Sequence, residues 1–196
     1  RNCPWRNLIW RSFGERISNM AKTWVSIVIP SYNCKKALFR LLTSLRVSDY
    51  PNFETIVVDN GSWDGTFSEG RKKFDWVKWV DAGEKNIGQT GCYNLGFANA
   101  KNNNHILYCD ADVTLDKSMV SELVKRIESD PGVGIVTPMI LYMSDKNWVN
   151  QAGANVDLIT GRVIVGWGPK KNFLQPKIVQ NSGTVMLFKN TVIKKI

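Results

Sequence analysis

The stretch Val25-Ser-Ile-Val-Ile-Pro-Ser-Tyr-Asn33 decides how the rest of the chain is read. Its first five residues make a short apolar, β-branched run, the mark of a buried strand. Pro30 has no N–H to give to a ladder and closes that strand. A polar Ser-Tyr-Asn follows. Leu38, Leu41, Leu42 and Leu45 then recur at spacings of three and four, which predicts an amphipathic helix ending before Pro51. Strand, polar loop and helix are the unit from which alternating folds are built.

That unit repeats along the chain. Phe53 to Val58 reads as a second strand, Thr66 to Phe74 as a second helix and Val77 to Val80 as a third strand. A helix over Thr90 to Ala100, a strand at His105 to Cys109 and a helix over Lys117 to Ile127 follow, with Met119, Val120, Leu123, Val124 and Ile127 on one stripe of the last. Val133 to Thr137 is a fifth strand. Strands alternating with helices of about ten residues require βαβ crossovers. The fold class is therefore α/β, with a mostly parallel central sheet and helices on both faces. After Pro138 the rhythm changes. Residues 147 to 168 are rich in Gly, Asn and Trp, and Arg162-Val-Ile-Val165 suggests a hairpin or a mobile loop. Thr184 to Phe188 reads as one more strand and Thr191 onward as the start of a helix, which Ile196 cuts short.

Composition bounds what such a fold can be. The chain has 196 residues, enough for one domain of ordinary size, and 43% of them are hydrophobic, enough to fill a core. No apolar run approaches the roughly 18 residues that a membrane span requires. Cys3, Cys34, Cys92 and Cys109 form no CxxC pair, and His105 is the single histidine. Neither a zinc site nor a disulfide framework is indicated, so a reducing, cytoplasmic setting is expected.

The net charge of +9 invites a nucleic-acid reading. Its distribution argues otherwise. Arg1, Arg6, Arg11 and Arg16, set against Glu15, concentrate a third of it in the first nineteen residues, and the rest is scattered in pairs such as Lys35-Lys36 and Lys170-Lys171. No predicted element carries a basic stripe with interleaved aromatics, so no nucleic-acid partner is expected. Residues 1–19 precede Met20-Ala-Lys-Thr-Trp-Val, which reads as an ordinary start, and are expected to be an extension outside a domain of residues 20–196. A competing reading makes that Arg- and Trp-bearing segment a peripheral anchor at the cytoplasmic face of a membrane.

In open α/β sheets, ligands bind beyond the carboxyl ends of the strands. Here those ends are polar and acidic: Pro30-Ser-Tyr-Asn33, then Asp59-Asn-Gly-Ser-Trp-Asp-Gly-Thr66, then Asp110-Ala-Asp112. Asp64 and Asp116 are read first as helix or turn caps. Asp110 and Asp112 differ, since two carboxylates on one side of an extended segment repel unless a cation or donors compensate them. A hard divalent ion, Mn²⁺ or Mg²⁺, with diphosphate oxygens completing its shell would satisfy both. Between the third strand and the next helix lies Asn86-Ile-Gly-Gln-Thr-Gly-Cys-Tyr-Asn94-Leu-Gly96. Its glycines allow close backbone approach to a phosphate, or close helix-to-sheet packing at Gly91 and Gly96. It is neither a GxGxxG fingerprint nor a P-loop.

Taken together, Val25 to Asn33, Glu54 to Thr66, Asn86-Ile-Gly with Asn94-Leu-Gly96, and Asp110-Ala-Asp112 resemble the family-2 glycosyltransferases of GT-A fold, from Val25 to about Lys189. Val-Asp-Asn-Gly-Ser, the Gly-Ala-Asn-Val-Asp157 segment and Asn181-Ser-Gly-Thr184 look closest to rhamnosyltransferase-like members. The resemblance implies a nucleoside-diphosphate sugar donor and a glycan or lipid-linked acceptor. It implies that Pro30, Tyr32 and Asn33 meet the base and ribose, that Asp59 and Asn60 read the base edge, and that Asn86, Gly88 and Asn94 line the phosphate and sugar side. Asp110 would bind ribose or assist the metal, and Asp112 would ligate it. It further implies inversion by a single displacement, with a carboxylate base in an acidic motif past the strand matching Thr184 to Phe188. No such motif occurs up to Ile196, so the base is expected beyond Ile196, and Asp157 reads better as an acceptor-loop or turn residue than as the base. The donor-binding part is therefore expected without its base.

Two other readings stand beside this one. A sugar-nucleotide nucleotidyltransferase shares the layered architecture and the acidic metal site, but wants a Gly-rich loop and an Arg where this chain has Pro30-Ser-Tyr-Asn33. A catalytically incomplete sugar-nucleotide-binding module would explain the missing acidic motif, against which stand Asp110 and Asp112.

Overall fold

The structure, a computed structural model, describes residues 23–101, 104–180 and 183–195. The extension expected at residues 1–19, and with it the proposed membrane anchor, lies outside the described residues. So do Asn181, Ser182 and Ile196. Two compact units are present. One runs up to Val136 and resumes at Leu187; the other is Thr137–Met186.

The first unit is built on strands β1 (Val25–Ser31), β2 (Phe53–Asp59), β3 (Lys78–Asp81), β4 (His105–Cys109), β5 (Ile135–Val136) and a later strand, Val185–Phe188, in the order β3-β2-β1-β4, the later strand, β5. β1 lies parallel to both β2 and β4, and β2 lies parallel to β3. At the far edge Leu187 and Phe188 pair antiparallel with Val136 and Ile135. The sheet is thus mostly parallel, as the alternation of strands and helices requires.

Strand β1 runs two residues beyond the point where Pro30 was expected to end it. Pairing with β4 stops at Val28↔Tyr108, whereas pairing with β2 continues through Pro30↔Val58 to Ser31↔Asp59. Where Pro30 sits, only β2 borders the strand, and a proline is tolerated at such an edge.

Helices α1 (Lys35–Leu45), α2 (Thr66–Lys73), α3 (Gly88–Asn99) and α4 (Met119–Ser129) connect these strands, and α5 (Asn190–Ile193) follows the last. Side chains alternate across a strand, so Val28, Ile56, Val58 and Ile106 share one face. Against it α3 sets Cys92 and Tyr93. The helix can approach because position 96 is glycine: a Cβ there would stand 2.2 Å from Val28 Cγ1. Close packing is thus the role of Gly96, whereas the nearest atoms to a Cβ on Gly91 would be those of Ile87, at 3.1–3.2 Å. On the opposite face Ile27, Ile29, Val57 and Leu107 are fully buried. The apolar stripes Leu38, Leu41, Leu42, Leu45 of α1 and Val120, Leu123, Val124, Ile127 of α4 are buried as well.

The second unit holds β6 (Ile140–Leu141), β7 (Trp148–Gln151), β8 (Ala154–Val156), β9 (Val163–Val165) and β10 (Gly168–Pro169). Within it, β10-β7-β6 form a three-stranded sheet and β8-β9 a hairpin. The hairpin turn is held by Asp157, whose Oδ1 accepts the N–H groups of Ile159 at 2.9 Å and Thr160 at 3.1 Å. The hydrogen bonds from Thr160 and Ile159 keep its carboxyl below the ordinary value. Asp157 is therefore a turn residue. No helix among the described residues is long and apolar enough to cross a membrane.

Candidate functional site

A cleft of about 280 Å³ opens where β1, β2 and β4 end. Pro30, Ser31 and Tyr32 line it from the end of β1, Asn60 from the end of β2, and Asp110 from the end of β4. Asn86 and Gln89 complete the wall from the approach to α3 and its first turn. Tyr32 is half exposed on the rim. Parallel strands bring these residues together because all three point the same way and β1 lies between the other two.

The loops around the cleft are cross-tied. Asn60 N–H donates to Ser31 O at 2.8 Å, which joins the ends of β1 and β2. Asn33, at φ 48°, sits in the left-handed region that asparagine tolerates better than most residues. Its N–H donates to Ser62 Oγ at 3.0 Å, and its Oδ1 accepts the N–H of Trp63 at 2.9 Å. Asn33 therefore binds one loop to the other and does not line the cleft.

Asp64 works in the same way. Its Oδ1 accepts from both the N–H and the hydroxyl of Thr66, and its Oδ2 accepts the N–H of Lys35 at 3.1 Å. One carboxylate thus caps the starts of both α1 and α2. Burial pushes its pKa upward, but the hydrogen bonds from Thr66 and Lys35 and the Lys35 charge outweigh it and hold the carboxyl below its ordinary value. Asp116 holds the turn before α4, accepting Ser118 N–H at 2.9 Å and Ser118 Oγ–H at 2.8 Å.

Asp59 is almost wholly buried at the end of β2. Its Oδ2 accepts Ser62 N–H at 2.9 Å, whereas Oδ1 is buried with no hydrogen-bond partner among the described residues. An acceptor in that state costs about 1–3 kcal/mol. Asn60 Nδ2 donates to Asn86 Oδ1 at 2.9 Å, and Asn60 Oδ1 accepts Ile87 N–H at 2.8 Å. Gly88, at φ 75°, opens α3 and gives its own N–H to Asn86 Oδ1 at 2.8 Å. Asn94 is exposed farther along α3 and does not line the cleft.

Asp110 is the carboxylate of the cleft. Gln89 Nε2 at 2.8 Å and Tyr93 Oη at 2.9 Å both donate to its Oδ1. Burial raises its pKa, the Asp112 charge raises it further, and the two donors work against both. Asp112, two residues on, is exposed and does not line the cleft. Among the described residues no third His, Cys, Asp or Glu joins this pair as a ready-made metal cage. The donor set nonetheless fits a hard divalent ion of the Mg²⁺ or Mn²⁺ type, since such ions take one or two carboxylates and fill the shell with water and phosphate oxygens. Like charges close enough to shift Asp110 are also what a cation relieves.

Sequence reasoning assigns no role to three side chains of the site. Ser31 reads only as part of a loop. Gln89 falls outside a helix expected to begin at Thr90, and Tyr93 reads only as a residue within that helix. The available signal is the spacing of four between Gln89 and Tyr93, which sets them on one helix face once the helix starts at Gly88.

Comparison with solved structures shows the GT-A fold. The mannosyltransferase PcManGT from Pyrobaculum calidifontis, in complex with GDP-Man and Mn²⁺, aligns at TM-score 0.61 and 20% identity over 96% of this chain and 56% of its own. TarS of S. aureus in complex with UDP-GlcNAc aligns at TM-score 0.56 and 19% identity over 88% of this chain and 47% of its own. Among curated proteins, the poly-β-1,6-N-acetyl-D-glucosamine synthase of Staphylococcus epidermidis is 27% identical over 175 residues, 88% of this chain and 41% of that protein. The poly(ribitol-phosphate) β-N-acetylglucosaminyltransferase TarS of Staphylococcus aureus (strain MW2) is 24% identical over 173 residues, 86% of this chain and 28% of that protein. This chain thus spans less than half the length of these curated relatives, and neither is named a rhamnosyltransferase. The family model described as Glycosyl transferase family 2 matches residues 26–196, so this chain belongs to glycosyl transferase family 2.

Proposed function

We propose that the chain binds a nucleoside-diphosphate sugar with Mn²⁺ or Mg²⁺ in the cleft and serves inverting transfer of the sugar to a hydroxyl of a glycan or lipid-linked acceptor. The observation that carries this reading is the meeting of three strand ends on one cleft, with Asp110 held there by two donors.

Within it, Pro30 and Tyr32 offer an apolar edge and a half-exposed ring to the base and ribose. Asn33 supports them from behind the loop, its side-chain oxygen being committed to Trp63. Asp59, whose Oδ1 lacks a donor, and Asn60 read the base edge. Asn86 and Gly88 shape the phosphate side, and Asn94 sits on the outer turn of the same helix. Asp112 and the second oxygen of Asp110 would hold the cation, which when bound supplies Lewis-acid neutralisation of the departing diphosphate.

The transfer is one displacement. The acceptor oxygen bonds to the anomeric carbon as the bond to the diphosphate oxygen breaks, and a carboxylate base takes the proton. Asp157 is not assigned that role, because its carboxylate holds the hairpin turn.

Calorimetric titration with UDP and with GDP, each in Mn²⁺ and again in excess EDTA, tests the proposal. Binding of at least one diphosphate in Mn²⁺ and its loss in EDTA is expected. Absence of metal-dependent binding for both overturns it.

A further inference from the structure

We infer that Gln89 and Tyr93 form a two-donor clamp that positions Asp110, so that one carboxylate oxygen is spoken for and the other is presented to the cation and diphosphate. This rests on the donor-site reading above.

The geometry is specific to one oxygen. Gln89 and Tyr93 stand one turn apart on α3 and both donate to Oδ1 of Asp110, at 2.8 Å and 2.9 Å. A carboxylate with both donors on one oxygen has its rotation about the terminal bond restricted, and the lone pairs of the other oxygen point elsewhere. Hydrogen bonds to an ionised acceptor are among the stronger ones, so the arrangement holds its direction.

The two donors differ in stiffness. Tyr93 is buried, at 6% exposure, in a cluster with Val28 and Ile106, and its ring lies 3.5 Å from that of Tyr108 between centroids. Tyr108 lies in β4, and Asp110 directly follows the last residue of that strand, Cys109. Ring and carboxylate are therefore anchored to one strand. Gln89 is exposed and lines the cleft, so its amide can leave Asp110 and turn to a ligand. Tyr93 is thus the fixed half of the clamp and Gln89 the exchangeable half. Both are positioning residues, acting through Asp110.

The test is a double-mutant cycle read by calorimetry with UDP and GDP in Mn²⁺, using uridine and guanosine as probes that carry no diphosphate. Tyr93→Phe keeps the ring and removes one hydroxyl. It is expected to weaken Mn²⁺-supported diphosphate binding about tenfold and to leave nucleoside binding within about twofold. Gln89→Ala, at an exposed position, is expected to cost about threefold in the same titration. In an Asp110→Asn background Tyr93→Phe should add almost nothing, because its effect passes through that carboxylate.

An unchanged diphosphate affinity in Tyr93→Phe overturns the inference. So does a loss that falls equally on the nucleosides, or one that persists at full size beside Asp110→Asn. Absence of Mn²⁺-dependent binding in the unaltered chain overturns the donor-site reading itself and the clamp with it, and that outcome is distinct from wild-type binding with an indifferent Tyr93.

Discussion

The side chains of Asn60 and Asn86 are joined by a 2.9 Å hydrogen bond, Nδ2 of the first donating to Oδ1 of the second, across the loops that follow β2 and β3. The same two amides satisfy the N–H groups of Ile87 and Gly88 at the start of α3. They therefore fix where that helix begins relative to the sheet, and with it where Gln89 and Tyr93 meet Asp110.

Asn60→Ala is expected to destabilise the protein by about 1 kcal/mol, since it removes two hydrogen bonds whose partners, on the exposed Asn86 and Ile87, can turn to water. Urea unfolding gives the number. Diphosphate affinity should fall in the same variant, because the cleft wall at Asn86 and Gln89 is no longer tied down. A stable variant with intact binding would show that the joint is dispensable.

Asp112→Ala should separate binding from folding. The residue is exposed, so its loss is expected to shift the thermal midpoint very little, within the roughly ±0.5 kcal/mol typical of surface sites. Mn²⁺-supported diphosphate binding should nevertheless drop by an order of magnitude or more, about 1.4 kcal/mol per tenfold. Parallel melting and calorimetry of one preparation check both halves.

Gly96→Ala places a methyl 2.2 Å from Val28 Cγ1, a position that a fully buried β-branched side chain cannot vacate easily. The expected cost is about 1–3 kcal/mol, the usual range for overpacking. Combining it with Val28→Ala should cost less than the two single changes together, because the methyl then occupies space that the valine has left. Strict additivity in urea unfolding would count against the clash.

The Asp64 caps predict an acid limb. Its folded pKa lies below the ordinary value of 3.8, so the stability it contributes is fully present above that value and is lost as pH falls through the folded one. Asp64→Asn should therefore be less stable than the parent near neutral pH, and the gap should close below about pH 4. Thermal midpoints measured from pH 7 down to pH 2 trace this convergence. A gap that stays constant would mean that the charge is immaterial.

Much of the first unit was legible in residue order. His105–Cys109 is a strand with the expected bounds, and the leucines at positions 38, 41, 42 and 45 are the buried stripe of α1. Hydrophobic period is a local property, and these elements are strongly periodic. Between residues 137 and 186 the strands are two to four residues long. Strands that short depend on partners more than on their own sequence, so Arg162-Val-Ile-Val165 could be read as a hairpin or a mobile loop and no further.

The site divides along the same line. Acidic and amide residues at the ends of β1, β2 and β4 could be found from the sequence alone, because the end of an apolar run is marked where it occurs. Which of them would share a cleft could not. Asn33 and Asp64 tie loops across 30 and 29 residues, and Tyr93 reaches Asp110 across 17. Such partners are set by how α3 settles on the sheet over Gly96 and by the amide joint at its start. Periodicity determines which face of an element is buried, but the direction of an individual polar side chain is decided only when the neighbouring element arrives.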